Sequence, residues 1–155
     1  MKILLLAISH TLVALAGFAA GIYLLPILIA PKAPTASEVS QAAANASYRA
    51  TFRRDLAGSD ALHWGEGEVS VGPKTVVLRG RLAPGPDYKL YLVPGFVETE
   101  AAFEATRVSS LRIGDVKTFD NFIVAIPEGV DLARYDTVLV WCETFSQFIT
   151  AAKYR

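Results

Sequence analysis

Residues that ligate transition metals or form disulfides are scarce in this chain of 155 residues. It has one cysteine, Cys142, and two histidines, His10 and His63, and its one methionine is Met1. A single cysteine cannot form an intramolecular disulfide, so cysteine usage does not indicate the redox compartment. The same scarcity excludes, within one chain, a blue-copper centre, a structural zinc site of Cys and His ligands, and a c-type haem.

Catalytic motifs and an excess of one charge are also missing. The 15 basic and 15 acidic side chains give a formal net charge of zero, so no overall field attracts nucleic acid or acidic substrates. The chain has no G-x-S-x-G elbow, no H-E-x-x-H, no Gly-rich phosphate loop ending in Lys and no dinucleotide fingerprint. We therefore expect no nucleic-acid partner, and no motif defines an enzyme class.

Formal charge is absent from the 23 residues between Ile3 and Leu25. As a helix this run would measure about 34 Å, enough to cross a hydrocarbon core of about 30 Å. Pro26 is expected to kink or end the helix, and Ile27 to Ala30 prolong the apolar run. A cleavable signal peptide is the alternative, because Lys2 forms a minimal positive region and small residues such as Ala19, Ala20 and Gly21 could be cut. Signal sequences usually have apolar regions of only about 7 to 15 residues, so we predict an uncleaved anchor.

The membrane side of the remaining chain is predicted from the shape of this N-terminus. Lys2 stands on one side and Lys32 on the other, so the distribution of positive charge scarcely decides the orientation. A short positive end followed directly by an apolar run is signal-like and favours an N-terminus inside. We therefore predict a single-pass membrane protein whose domain is extracytoplasmic, or periplasmic.

Composition divides the chain into an anchor at 1–30, a Pro/Ala/Ser-rich linker at 31–47 and a domain at 48–155. In the linker, Ser37 is positioned to cap a short helix from Glu38 onward. The domain alternates short β-favouring runs with Gly and Pro turns, which is typical of an antiparallel sandwich or barrel. We predict an all-β fold, an antiparallel β-sandwich. A short helix is expected at Val97 to Thr106. The predicted strands are Glu68 to Val71, Thr75 to Leu82, Tyr88 to Val93, Arg107 to Ile113, Asn121 to Ile126, Thr137 to Cys142, and one near Phe148 to Lys153.

The strand that holds Cys142 is expected to run through the middle of the fold. Val138, Val140 and Cys142 share one face, and the alternate positions are apolar as well. Glu143 belongs to the opposite face and is badly placed to tune the thiol. Cys142 is therefore either a buried structural residue or a redox-active or ligating thiol at a strand end.

His63 lies next to Trp64 in a Gly-flanked loop that enters a strand. It is either an ordinary hydrogen-bonded loop residue or a ligand or proton-transfer group. Cys142 and His63 together could ligate a non-covalent haem, but the sequence itself indicates no cofactor. They could also form a nucleophilic dyad, although no third orienting group is evident.

Aromatic residues are concentrated in the segment "APGPDYKLYLVPGF". Tyr88, Tyr91 and Phe96 either present one aromatic face to a partner or are core aromatics between turn prolines.

Three segments, "HWGEGEVSV", "LAPGPDYKLYL" and "VKTFDNFIVAIPEGVDLARYDTVLVWCETFSQFITAA", resemble the electron-transfer DM-thirteen domain family in content and order. The resemblance covers about Thr51 to Ala152. Its most specific elements are the G-P-D turn at Gly85 to Leu92 and the V-x-V-W-C-x-x-F run ending at Phe145. The resemblance implies a β-rich extracytoplasmic module with the cysteine at position 142 as its redox centre, and both Cys142 and His63 match family positions.

The function expected from the sequence is thus a membrane-anchored accessory redox module centred on Cys142, with His63 as a partner group. Because one thiol cannot close an internal disulfide, a redox role would require a mixed disulfide with a protein redox partner, a sulfenic acid or metal ligation. The alternative is a non-enzymatic binding or assembly module in which Cys142 is structural.

Overall fold

The computed structural model describes all 155 residues, in three helices and eight strands. Helices α1 (Lys2–Ile29) and α2 (Ala36–Ala43) precede the strands, and α3 (Glu100–Thr106) lies between the fourth and fifth strands. The strands are β1 (Tyr48–Phe52), β2 (Gly65–Val71), β3 (Thr75–Leu82), β4 (Tyr88–Val93), β5 (Leu111–Val116), β6 (Asp120–Ala125), β7 (Thr137–Cys142) and β8 (Gln147–Lys153).

The strands form two four-stranded antiparallel sheets, one ordered β1-β2-β3-β6 and the other β5-β4-β7-β8. Alternate residues of both sheets are buried together in one core, which is the arrangement of a β-sandwich. Val69 and Leu78 contribute from the first sheet, and Leu90 and Val140 from the second. The predicted all-β sandwich is confirmed.

Strand β7 is an interior strand, paired with β4 on one side and β8 on the other. All six of its residues are buried, in agreement with the sequence prediction. Val138 and Cys142 face the core between the sheets, whereas Trp141 faces outward into a second apolar cluster that Phe103 of α3 covers. The outward residues of β7 are apolar because a helix shields that face from water.

Several predicted boundaries shift because local capping decides them. Helix α3 begins at Glu100, where the Thr99 hydroxyl accepts a hydrogen bond from the amide of Ala102. Arg107 to Ser109 form a 3-10 turn, so β5 starts only at Leu111. Strand β1, at a sheet edge, was not predicted from the sequence, although its burial alternates along the strand.

The segment before the sandwich is more structured than its composition suggests. Helix α2 is capped by Thr35 rather than by Ser37, through a capping box with Glu38. Val39 of α2 packs on Val77, on the outer face of the first sheet. Helix α2 therefore covers part of that face of β3.

Helix α1 continues through Pro26 and ends at Ile29, so Pro26 does not terminate it. Pro26 is buried, whereas most of α1 is exposed. Ile22 and Ala30, one turn to either side, are half-buried. Positions four residues apart share one helix face, so this face of the last two turns contacts the domain.

Candidate functional site

An open cavity of about 480 Å³ lies between the end of α1 and one end of the sandwich. Its wall combines the helix with three chain segments that lie close together at the strand ends. The lining residues are Ala19, Ile22, Tyr23, Leu62, His63, Pro84, Gly85, Pro86, Tyr88, Cys142, Phe145, Gln147 and Ile149. Both residues singled out from the sequence, Cys142 and His63, therefore belong to one cavity.

Cys142 is at the last position of β7, paired with Tyr88 of β4 and with Gln147 of β8. Only 2% of its surface is exposed, so it contributes little area to the cavity wall. Burial raises the pKa of the Cys142 thiol, although the backbone amides of Phe145 and Asp87 partly oppose the shift. The group is therefore a neutral thiol at neutral pH, rather than the exposed thiol of low pKa expected of a reactive cysteine.

Tyr88 is the second polar residue held in the cavity wall. It is 3% exposed, and its burial raises its pKa, with Cys142 adding to the shift. A Cβ at position 85 would overlap the Tyr88 ring and hydroxyl, so Gly85 is required for this close approach. The Tyr88 hydroxyl has no hydrogen-bond partner within the protein, whereas the Tyr91 hydroxyl donates to Glu143.

His63 is held in place by Asp60, three residues earlier in the same loop. The Nδ1 atom of His63 lies 2.9 Å from Oδ2 of Asp60, and this bond lowers the pKa of the Asp60 carboxyl. Oδ1 of Asp60 accepts hydrogen bonds from the amides of Leu62 and His63, at 2.7 and 2.8 Å. Because a carboxylate only accepts, Nδ1 is the donor and Nε2 remains available as a base or ligand.

The structure thus supplies the orienting group that the sequence did not reveal, but it forms no nucleophilic dyad. No hydrogen bond joins His63 to Cys142, and His63 is not among the main causes of the raised pKa of the thiol. An Asp three residues before a His in a Gly-flanked loop is the one sequence signal that could have identified Asp60.

No group of three or more His, Cys, Asp or Glu residues is arranged to hold a metal ion. In the cavity, the Cys142 sulfur and Nε2 of His63 are the atoms that would ligate a haem iron or another soft centre. The chemistry that the site offers is therefore that of a protected thiol, a buried phenol and an oriented imidazole.

Glu143 lies on the other side of the second sheet. Its carboxylate accepts hydrogen bonds from the Tyr91 hydroxyl and from Arg107, whose guanidinium lies 5.9 Å from the Trp141 ring centre. Glu143 is not among the main causes of the raised pKa of Cys142, and its carboxylate bonds groups on the far side of the sheet.

The aromatic residues of β4 do not form one face. Tyr88 belongs to the core between the sheets, Tyr91 to the outer cluster, and Phe96 is exposed. Positions 88 and 91 differ by an odd number of residues, so a regular strand directs them to opposite sides. Tyr88, Tyr91 and Phe96 therefore do not present one aromatic face, and that hypothesis is wrong.

The cavity thus lies between an apolar helix and one end of a β-sandwich, with a thiol in its wall. The chain matches the family model described as "Electron transfer DM13" over residues 55–154, and it belongs to that family. The match includes every cavity residue of the sandwich, among them His63, Tyr88 and Cys142. No curated protein and no solved structure matches the chain.

Proposed function

We propose that this protein is an accessory electron-transfer module, held at a membrane by α1, in which Cys142 is the redox group. The observation that carries the proposal is the placement of Cys142 in a cavity wall, together with His63 and Tyr88, inside the region that matches an electron-transfer family. The proposed division is an anchor at 1–30, a connecting segment at 31–47 and a functional domain at 48–155.

Membrane attachment is supported by the length and composition of α1. It is the one helix long and apolar enough to cross a bilayer, and a signal sequence near the N-terminus would have the same properties. The signal-like order of Lys2 and the apolar run supports an extracytoplasmic domain.

A single thiol restricts the redox chemistry that is available. It can attack a disulfide of a partner protein, forming a mixed disulfide and releasing the partner's second sulfur as a thiolate, which takes up a proton. It can also be oxidised to a sulfenic acid or ligate a metal. The attack requires loss of the thiol proton, and the raised pKa makes this slow at neutral pH. Nε2 of His63 is the proposed proton acceptor.

The experiment that tests this function measures how the thiol reacts with a small aromatic disulfide over a range of pH, using the full chain in detergent. The proposal expects one equivalent to react in the folded state, with an apparent pKa above the free-thiol value of about 8.5. His63→Ala should slow the reaction near neutral pH, and Cys142→Ser should abolish it. An absorption spectrum of the same sample tests for a bound haem, which Cys142→Ser should then remove.

The alternative is a non-enzymatic binding or assembly module in which Cys142 is structural. The 2% exposure and raised pKa of Cys142 favour it. The same experiment separates the two functions: a thiol that reacts only after unfolding, in a colourless protein, would contradict the redox proposal and support the binding module.

A further inference from the structure

We propose that the cavity beside Cys142 binds an uncharged amphiphile from the membrane, with its oxygen-bearing head group inside the cavity and its hydrocarbon part in the bilayer. The inference rests on the membrane attachment proposed above and adds the class of ligand.

The length of α1 places the cavity at the membrane boundary. Its 28 residues measure about 42 Å, and a hydrocarbon core of about 30 Å requires only about 20 of them. Counted from the charged end at Lys2, the core ends close to Gly21. The cavity residues Ala19, Ile22 and Tyr23 lie on either side of that level. Tyrosine is enriched at this boundary in membrane proteins, which agrees with the position of Tyr23.

The domain is held at this level by direct contact with the helix. Pro26 is buried and Ile22 is half-buried, so the last turns of α1 support the same end of the sandwich that contains the cavity. The cavity therefore opens where the bilayer begins, rather than at the far end of the domain.

The rim of the cavity is apolar on the sandwich side as well. Beyond α1, four large hydrophobic side chains are exposed: Leu62, Phe96, Val108 and Phe145. Leu62 and Phe145 both line the cavity and are 57% and 46% exposed. Exposed apolar side chains clustered at one site usually mark an interaction surface, and here they adjoin the hydrocarbon boundary.

The polar groups of the cavity fit an uncharged head group. No Lys, Arg, Asp or Glu lines it, so an anionic phosphate would have no counter-ion there. Tyr88 is 3% exposed, and its hydroxyl, which bonds no group of the protein, is placed to bond a carbonyl or hydroxyl oxygen of a ligand. Gln147 and His63 add an amide and an imidazole. The volume, about 480 Å³, is that of a site for a small molecule or a ring-sized head group.

The test uses the full chain in phosphatidylcholine nanodiscs, with its intact mass measured first to show that α1 is present. Two photo-crosslinking probes, a short-chain prenylated benzoquinone and a diacylglycerol, are titrated separately. We expect saturable labelling of peptides that contain residues 62–63 or 84–88. Stronger labelling by the benzoquinone would indicate a redox-active ligand. Equal labelling by the two probes would indicate a neutral lipid. Both outcomes support an amphiphile site.

Two pairs of matched variants test whether the labelling depends on the cavity. Ala19→Trp fills the cavity from the helix side, whereas Ala20→Trp adds the same side chain one residue further on, outside the lining. We expect Ala19→Trp to weaken saturable labelling by about tenfold or more, equivalent to about 1.4 kcal/mol, and Ala20→Trp to leave it unchanged. Tyr88→Phe should weaken it as well, whereas Tyr91→Phe, on the other side of the sheet, should not.

Labelling that never saturates, or that Ala19→Trp and Ala20→Trp affect equally, would overturn the inference. A mature chain without α1 would overturn both the membrane attachment and the inference. The redox proposal fails separately: an unreactive Cys142 with intact, Tyr88-dependent labelling would remove the redox role and leave the amphiphile site standing.

Discussion

At the scale of single residues, several ionisable side chains of the sandwich are held neutral by burial. Burial raises the pKa values of Cys142 and Tyr88, and raises that of Tyr154 to about 12. Each group prefers its uncharged form more strongly in the folded protein than in the unfolded chain. The cavity therefore keeps a thiol and a phenol protonated side by side, which suits hydrogen bonding and suppresses unassisted thiolate chemistry at neutral pH.

These shifts predict that the folded state loses stability at alkaline pH. A group whose pKa is higher in the folded state gives its full stabilisation below its unfolded pKa and loses it as the pH rises towards the folded pKa. The loss should begin near the free cysteine value of about 8.5 and continue through the free tyrosine value of about 10. Tyr154 alone should account for on the order of 2 kcal/mol by about pH 12.

The measurement is the free energy of unfolding in urea at a series of pH values above neutrality. Tyr154→Phe should flatten the dependence at its upper end, whereas Tyr135→Phe serves as the control variant. A stability that stays constant to the alkaline limit, or an unchanged slope in Tyr154→Phe, would contradict the burial argument.

At the scale of elements, the short helix α2 is defined by its first turn. The amide of Glu38 donates to the Thr35 hydroxyl at 3.3 Å, and the amide of Thr35 donates to the Glu38 carboxylate at 2.7 Å. A helix of eight residues is marginal by itself, so this cap and the packing of Val39 on Val77 hold it together.

Thr35→Ala should therefore destabilise the protein, whereas Ser37→Ala should not. Loss of the cap is expected to cost about 1 kcal/mol in the free energy of unfolding. Ser37 is an appropriate control because it is the residue that the sequence suggests as the cap, but it lies inside the helix. Equal effects of the two substitutions, measured by urea unfolding of the full chain, would show that α2 does not depend on the capping box.

At the scale of the whole molecule, α1 and the sandwich are in direct contact. The last turns of α1 complete the cavity wall, so the proposed membrane attachment and the proposed site are linked. Removing α1 would remove three of the residues that line the cavity, Ala19, Ile22 and Tyr23.

The proposed orientation predicts that a protease added to intact spheroplasts digests residues 48–155 and leaves a membrane-embedded N-terminal fragment. The reason is the signal-like N-terminus, which favours translocation of everything after α1. Immunoblotting against each end of the chain follows the fragments, and a cytoplasmic protein serves as the control for lysis. If the domain is digested only after lysis, it lies on the cytoplasmic side and the proposed orientation is wrong.

Much of the sandwich was predictable because strand periodicity is a local property. The bounds of β3, β4 and β7 agree with those read from the sequence, since each run is bordered by turn residues. Strand β1 and the start of β5 were not predicted from the sequence. An edge strand and a 3-10 turn depend on their neighbours more than on their own residues.

The sequence by itself determined the β-sandwich, the apolar helix, the central position of Cys142 and the family resemblance, because each depends on residues that are close together in the chain. Only the tertiary structure decided that Cys142 is paired with Tyr88, that Asp60 orients His63, and that α1 closes one wall of their cavity. Ala19 and Cys142 are more than a hundred positions apart, and no local pattern places both of them at one cavity. It follows from the packing of the helix against the end of the two sheets.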